Sequence, residues 1–349
     1  MFEYTGVIHI HSVFSDGSGE VKNIIQDAQD VGVDYLILTD HNTLRALYEG
    51  FEGWYGDTLL FVGSEINDKR NQNHLLAFGI NETISTRLPA IEYTRKVKDA
   101  GGISFLAHPH EKRNSMKEHP PYPWTEWNSQ DFTGIEIWNH MSEWMEGLTE
   151  QNKYNYFVHP LRSISRPQQD TLEVWDKLSE TRRVVGIGGV DAHAHKVNLL
   201  GFFEMEVFPY KVLFKSIRTH VLVDSELKHS SERTEIEQAK KHIYDALGAG
   251  RCFVSNFYHG DAKGFRFYAE VNGKIFEMGE TIPLDNNLKL MVSVPFNDVE
   301  ISLFGNGKLV DTKSEAKVEF EIHKKGAYRV EVSRSKNAWI FSNHIRIGV

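Results

Sequence analysis

The chain has 349 residues, 40% apolar and 25% charged, with a formal net charge of −9. That is enough chain for a large domain with a real core plus a small one, and the acidic balance argues against a non-specific nucleic-acid binder, which is normally basic. No apolar run of about 18 residues is present to span a membrane, and Met1-Phe2-Glu3-Tyr4 lacks the basic and apolar regions of a signal peptide.

The single cysteine, Cys252, excludes an internal disulfide framework and fits a reducing cytoplasm. Without secretion, the sequon Asn81-Glu82-Thr83 reads as chance. Seventeen histidines are many for this length, so their positions carry information.

The apolar run Gly6-Val7-Ile8 ends in His9-Ile10-His11, followed by Ser12, Ser15, Asp16 and Gly17. On a strand, His9 and His11 share a face and form a chelate for a divalent ion. Ile24, Ile25, Ala28 and Val31 recur at helical spacing, and Gly32 stops that helix. Tyr35-Leu36-Ile37-Leu38 then leads into Thr39-Asp40-His41; a run apolar on both faces reads as a buried parallel strand. The pattern repeats in Leu59 to Glu65, Ile103 to His108, Gly134 to His140 and Val184 to His193. Each run delivers His, Asp or Glu at its C-terminal end, where α/β barrels build their sites.

Glu65 and the run His74 to Ile80 are separated by eight residues. A parallel crossover needs a dozen or more. The second strand therefore returns antiparallel and places His74 beside Glu65. The stretch from about 110 to 167 holds His119-Pro120-Pro121-Tyr122-Pro123-Trp124 and most of the tryptophans, and reads as a lid, a pocket wall or an extra packing layer. A helix is expected over 236–250 and a strand over 251–255. Beyond about 260, short alternating strands are split by Asn272-Gly273, Asp285-Asn286-Asn287, Asn306-Gly307 and Lys325-Gly326, the pattern of a small antiparallel β-sandwich. Domains are expected at 1–260 and 261–349.

The strand ends supply His9, His11, Asp16, His41, Glu65, His74, His108, Asp191 and His193. Six imidazoles and three carboxylates are too many for one ion and suit two or three. Nitrogen and oxygen donors without thiolate fit Zn²⁺, Fe²⁺ or Mn²⁺. Gly186-Ile187-Gly188-Gly189 is not a dinucleotide loop, because the third glycine of that spacing is replaced by Asp191. No Gly-x-Ser-x-Gly elbow is present.

The pattern resembles the PHP family, named for its polymerase and histidinol-phosphatase members. The resemblance rests on His9-Ile10-His11-Ser12 through Ser15-Asp16-Gly17, Thr39-Asp40-His41-Asn42, Gly63-Ser64-Glu65-Ile66, Asn73-His74, Ala107-His108-Pro109 and Asp191-Ala192-His193. It implies an α/β fold, a distorted (β/α)7 barrel, followed by the small sandwich. It implies one ion on His9, His11, Glu65 and Asp191, a second on Glu65, His74 and His108, and a third on Asp16, His41 and His193. Some members carry histidine where Asp16 stands, so the third site departs from their pattern. A shorter match, Gly326 to Val332 and Trp339 to Ile345, looks like the tail of the CehA/McbA subgroup, which includes carbamate-ester hydrolysis.

The expected chemistry is hydrolysis of a small phosphate ester or short nucleotide by metal-activated hydroxide, with Asp191 or His193 moving the proton. Three divalent ions, three carboxylates and one hydroxide leave about +2, which matches a phosphate dianion. Candidate substrate contacts are His110, His195, Asn42, Arg113 and Asn139. The alternatives are a carbamate, ester or amide hydrolase on the same metals, or a catalytically silent metal-binding module. Nucleic acid beyond short nucleotides and a membrane are not expected partners.

Overall fold

The computed structural model describes residues 1–113, 120–199 and 203–349; His119 lies outside them. The first strand, Phe2–Ile8, pairs in parallel with Tyr35–Leu38, which pairs in parallel with Thr58–Val62. Both inner strands of this trio are buried along their whole length, as their unbroken apolar runs require. The helix Val21–Asp30 crosses between the first two and buries Val21, Ile24, Ile25 and Ala28. Gly32, at φ 68°, turns the chain out of it.

A second sheet orders Ser64–Ile66, Leu75–Phe78, Ile103–Leu106, Gly134–Asn139 and Val185–Gly189. Its first pair is antiparallel, with Glu65 opposite Leu76, so the chain does return after Glu65 and sets His74 at the same end. The last three strands run parallel. Two single bridges, Ile10 with Ala192 and His41 with Glu65, join the sheets at the end where the histidines gather. The class is mixed α/β. These two sheets are stitched at the bridges, with antiparallel pairs interrupting the parallel alternation.

On its other side, Phe2–Ile8 pairs antiparallel with Ile217–Val223, and that strand with Cys252–Asn256. The helix Arg233–Ala249 starts a turn earlier than its apolar spacing suggests and ends on Gly250 at φ 77°. Cys252–Asn256 then pairs with Asn337–Ser342, carrying the same sheet into the C-terminal region. There a four-stranded antiparallel sheet, including Arg266–Val271, Lys289–Ser293 and Lys317–Glu321, buries alternate residues. Phe267, Leu290, Val292 and Phe320 share a core with Ile301, Leu303, Val330, Val332 and Trp339. Asn272 and Asn306 take positive φ before their glycines, as tight hairpin turns demand.

Buried polar groups lock this region to the rest. Arg329 donates from Nε and Nη2 to the Asp176 carboxylate at 2.6 and 2.8 Å, and His344 Nε2 lies 2.7 Å from Oδ1 of the same group. Asn343 accepts from the Gly186 amide and donates to the Gly186 and Cys252 carbonyls. No described helix is long and apolar enough to cross a membrane.

Candidate metal centre

Glu65 is the hub. Its Oε2 lies 3.2 Å from His9 Nε2, 3.2 Å from His11 Nε2 and 3.4 Å from His41 Nδ1. Its Oε1 lies 2.7 Å from His74 Nδ1 and 3.3 Å from His108 Nε2. Asp191 Oδ1 adds contacts of 3.4 Å to His9 Nε2, 3.5 Å to His11 Nε2 and 3.5 Å to His193 Nδ1. Asp16 lies at the rim, 3.3 Å from His193, 3.6 Å from His11 and 3.7 Å from His41. All nine expected donors therefore meet. They fall into overlapping groups whose donor atoms lie within 4.8 Å of one another: His9, Glu65 and His108; His9, His11 and Asp191; His41, Glu65 and His74; His11, Asp16, His41 and His193.

His9 and His11 converge by a different route from the one their spacing suggests. The strand stops at Ile8, and His9 sits at φ 66° rather than in extended conformation. His108, at 29°, and Asp191, at 54°, are also in the left-handed region. Each such residue costs on the order of 1 kcal/mol or more, and such costs cluster at functional sites. The backbone bends at three strand ends to aim three donors inward.

A further layer holds them. Glu136 Oε1 lies 2.8 Å from His9 Nδ1, while its Oε2 accepts from the His108 amide at 2.9 Å and from Asn139 Nδ2 at 2.9 Å. The carboxylate keeps the His9 proton on Nδ1 and leaves Nε2 as a lone-pair donor toward Glu65 and Asp191. Gly189 makes room for this contact: a Cβ there would stand 2.1 Å from Glu136 Oε1. Asp40 accepts from the Ser12 amide, Ser12 Oγ and Ser15 Oγ, all at 2.7 Å, and so shapes the loop from His11 to Asp16. Tyr210 donates to the His11 carbonyl at 2.7 Å, and the Tyr122 ring stacks on His74 at 5.1 Å.

Sequence reasoning missed Glu136, Asp40, Tyr210 and Tyr122. Glu136 had a signal, an acid in the middle of a wholly buried strand. The expected substrate contacts divide. Arg113 and His195 line the cavity above the cluster, with Asp16, His41, His74 and His193. Asn42, at φ 53°, is spent on Asn67, donating to its side chain at 2.5 Å and accepting from its amide at 3.1 Å. His110 lies against Thr171 and stacks on Trp127 instead. Asn139 supports Glu136 and caps the helix His140–Gly147 by accepting from the Ser142 amide at 2.8 Å. None of these three lines that cavity. His140, the last residue of the run that Gly134 opens, is fully buried and belongs to none of the donor groups. Burial pulls its imidazole down to about 3, so it is neutral.

The residues present fit divalent ions. His9 Nε2, both nitrogens of His11, His41 Nδ1, His74 Nε2 and His108 Nδ1 are buried with no hydrogen-bond partner among the described residues, which is costly unless something electrophilic takes the lone pairs. Burial alone would raise Glu65, but the surrounding imidazoles, His9 foremost, outweigh it and hold the carboxyl well below its usual range. Burial would likewise raise Asp191, and His9, His11 and His193 overcome it. Burial lowers His41 to about 4, leaving it a neutral donor. Ionised carboxylates beside imidazoles whose nitrogens lack partners are what a hard-to-borderline divalent cation takes up.

Fold and site thus define a candidate metal centre, built mostly at the C-terminal ends of strands in a mixed α/β protein. Comparison with known families agrees: the profile described as the PHP domain matches residues 8–193, more than half of the chain. The chain belongs to the PHP domain family. It is 29% identical over 116 residues to an uncharacterised protein of Methanocaldococcus jannaschii, a match covering 30% of this chain and 66% of that protein, just under two thirds of its length. Among solved structures it is similar to a two-domain protein of Bacteroides vulgatus containing a predicted PHP-like metal-dependent phosphoesterase, at 15% identity, 98% and 95% coverage and a TM-score of 0.43. It is also similar to PsfC from Pseudomonas syringae, at 12% identity, 66% and 86% coverage and a TM-score of 0.40.

Proposed function

We propose that the protein is a metal-dependent phosphoesterase acting on a small phosphate ester. The observation that carries this reading is the convergence of nine ionisable donors, several with partnerless nitrogens, seven of which line a cavity of about 440 Å³ while His9 and His11 lie buried beneath it. His9, His11, Glu65 and Asp191 would hold one ion, Glu65 with His74 and His108 a second, and Asp16, His41 and His193 a third. When bound, two or three Zn²⁺, Fe²⁺ or Mn²⁺ ions supply Lewis acidity and lower the pKa of water.

The chain's own groups do the rest. Glu136 fixes the His9 tautomer. His193 donates from Nδ1 to the Asp191 carbonyl at 3.1 Å, which turns its Nε2 toward Asp16. Asp191, ionised and on the cavity wall, accepts the proton of the attacking water, and, with the Asp16, His41 and His193 position empty, His193 Nε2 would carry that proton on to the leaving alkoxide. Arg113, held by Glu111 at 2.6 Å and lying 5.0 Å over the Tyr122 ring, presents a guanidinium to a phosphoryl oxygen.

As part of the same reading, the two sheets of residues 1–260 form a distorted (β/α)7 barrel, residues 261–349 form an appended sandwich of CehA/McbA type, and the protein works in the cytoplasm. The test is turnover by metal-loaded protein of p-nitrophenyl phosphate against p-nitrophenyl acetate and a naphthyl carbamate. Phosphate turnover lost on chelation and in Glu65→Gln supports the proposal. Turnover of the carboxylic substrates alone replaces it with an ester or carbamate hydrolase, and no turnover of any points to a silent metal-binding module.

A further inference from the structure

The cavity over the metal centre has two unlike halves. Its floor is the donor cluster. The apolar part of its wall is Met141, Trp144 and Met145 of the helix His140–Gly147, together with Phe157 and Val207, and Asn71 and Lys196 are among the polar residues that complete it. Positions 141, 144 and 145 share one helix face. Such an apolar face normally closes a core; here part of it borders open volume beside a polar cluster.

The apolar part is fixed and carries little polar function. Trp144 is fully buried and packs edge-on against Phe157 and Phe208, with ring centroids 5.1 and 5.0 Å apart. Its indole N–H is already given to the Tyr156 carbonyl at 3.2 Å. The methionine, phenylalanine and valine side chains offer no strong hydrogen bond. A nucleobase placed against these five residues would get no strong hydrogen bond from them for its polar edge, at a cost unless Asn71 or Lys196 elsewhere in the lining meets it. A hydrocarbon or simple aryl group would bear no such cost. A volume of about 440 Å³ falls among pockets that hold drug-sized ligands, so phosphate alone or a methyl ester leaves most of it wet.

Resting on the phosphoesterase reading above, we infer that the substrate is a phosphate monoester of an apolar alcohol. Its phosphoryl group sits at the donor cluster and its uncharged aryl or alkyl group lies against Met141, Trp144, Met145 and Phe157. Hydrolysis consumes one water: its oxygen bonds to phosphorus, the bond from phosphorus to the alcohol oxygen breaks, and a proton from that water ends on the alcohol. The products are inorganic phosphate and the free apolar alcohol.

The experiment is a binding comparison on the full-length, metal-loaded chain. Methylphosphonate, 1-naphthylmethylphosphonate and 5′-AMP are titrated by calorimetry, with tryptophan fluorescence as a second readout. Burying one or two rings against this wall is expected to tighten binding by about 30-fold or more over methylphosphonate. The fluorescence should respond to the naphthyl ligand, because Trp144 borders the cavity. Met141→Glu should cut that preference at least about tenfold; if it does not fold, Phe157→Ala, on a separate helix, should lower it in the same direction. Equal binding of the two phosphonates, or 5′-AMP binding tightest, overturns this inference and leaves the phosphoesterase reading standing. Failure of every phosphonate and phosphate to bind sinks the phosphoesterase reading and this inference together.

Discussion

Replacing Glu136 by glutamine keeps the shape and removes the charge. The carboxylate accepts three contacts: His9 Nδ1 at 2.8 Å, the His108 amide at 2.9 Å and Asn139 Nδ2 at 2.9 Å. A glutamine amide has one acceptor oxygen. If that oxygen keeps His9, the new NH₂ group faces two donors, the His108 amide and Asn139. If it turns to those two, His9 loses its orienting acceptor. Either way one or two hydrogen bonds inside a buried network go, each worth about 1.5 kcal/mol where a charge is involved. The His9 lone pair is no longer held toward Glu65. Outer partners of metal ligands commonly account for about 10–100-fold in metal affinity, and about 1.4–2.8 kcal/mol, one to two factors of ten, agrees with the hydrogen-bond count. The assay is competitive titration of Zn²⁺ or Mn²⁺ against a chromophoric chelator, with circular dichroism to show that the fold is intact. A variant that folds and binds metal as tightly as the parent would refute the role given to Glu136.

Gly189→Ala should give a similar loss of metal affinity, since its Cβ would stand 2.1 Å from Glu136 Oε1 and 2.8 Å from His9 Cβ; unchanged affinity would mean that the pair has room to move. Metal release should be stepwise under increasing chelator, the site at half-exposed Asp16 emptying first, and Asp16→Ala should lower the metal-to-protein ratio measured by elemental analysis without emptying the inner sites. Asp176→Asn should destabilise the fold by about 1.5–3 kcal/mol in urea denaturation, because buried Arg329 loses its charge-assisted bonds from Nε and Nη2 and keeps only Glu331, 2.7 Å from Nη1. Burial works to raise Asp176, but Arg329 and His344 overcome it and bring it from 3.8 to about 2. A lowered folded-state value means that its contribution is complete above about pH 4 and is lost as pH falls through about 2. Acid titration of the parent should therefore show a steeper loss of stability between those limits than the Asp176→Asn variant. A chain cut after residue 260 exposes the edge of Cys252–Asn256 that Asn337–Ser342 covers, and it should be recovered aggregated rather than monomeric in gel filtration.

The nine donors were legible because few residue types bind divalent ions, and they recur where buried strands end. The geometric premise behind His9 and His11 was not what brings them together: alternation along a strand is replaced by a strand that stops at Ile8 and a bend at His9. The return after Glu65 was legible from loop length alone, because eight residues cannot carry a parallel crossover. What stayed hidden depends on distance in space. Glu136 is far from His9 in sequence and looks like one more acid. His110 and His195 each stand two residues after a donor, yet only His195 lines the cavity, while His110 lies against Thr171. Met141, Trp144 and Met145 read as an ordinary amphipathic face. Nothing in spacing says whether such a face meets a core or a cavity. In the C-terminal region, by contrast, Asn272-Gly273 and Asn306-Gly307 mark their hairpins directly, since both residues of each pair take positive φ.

The donors are not buried alike, and that difference follows from how they are held. Glu65 is 1% exposed and His9 not at all, whereas the Asp16 side chain is 51% exposed. An inner carboxylate among imidazoles is costly to desolvate and is tolerable only with opposite charge close by. Without ions, His9 helps to meet that need: burial would lower it, but Glu136, Asp191 and Glu65 hold it well above its usual range. Ions entering there displace protons, so inner-site loading releases them and tightens as pH rises. At the rim, water already solvates Asp16, and an ion gains less by replacing it. The same fold thereby grades its donors, from Glu65 and His9 built into the core to Asp16 at the rim, open to the cavity.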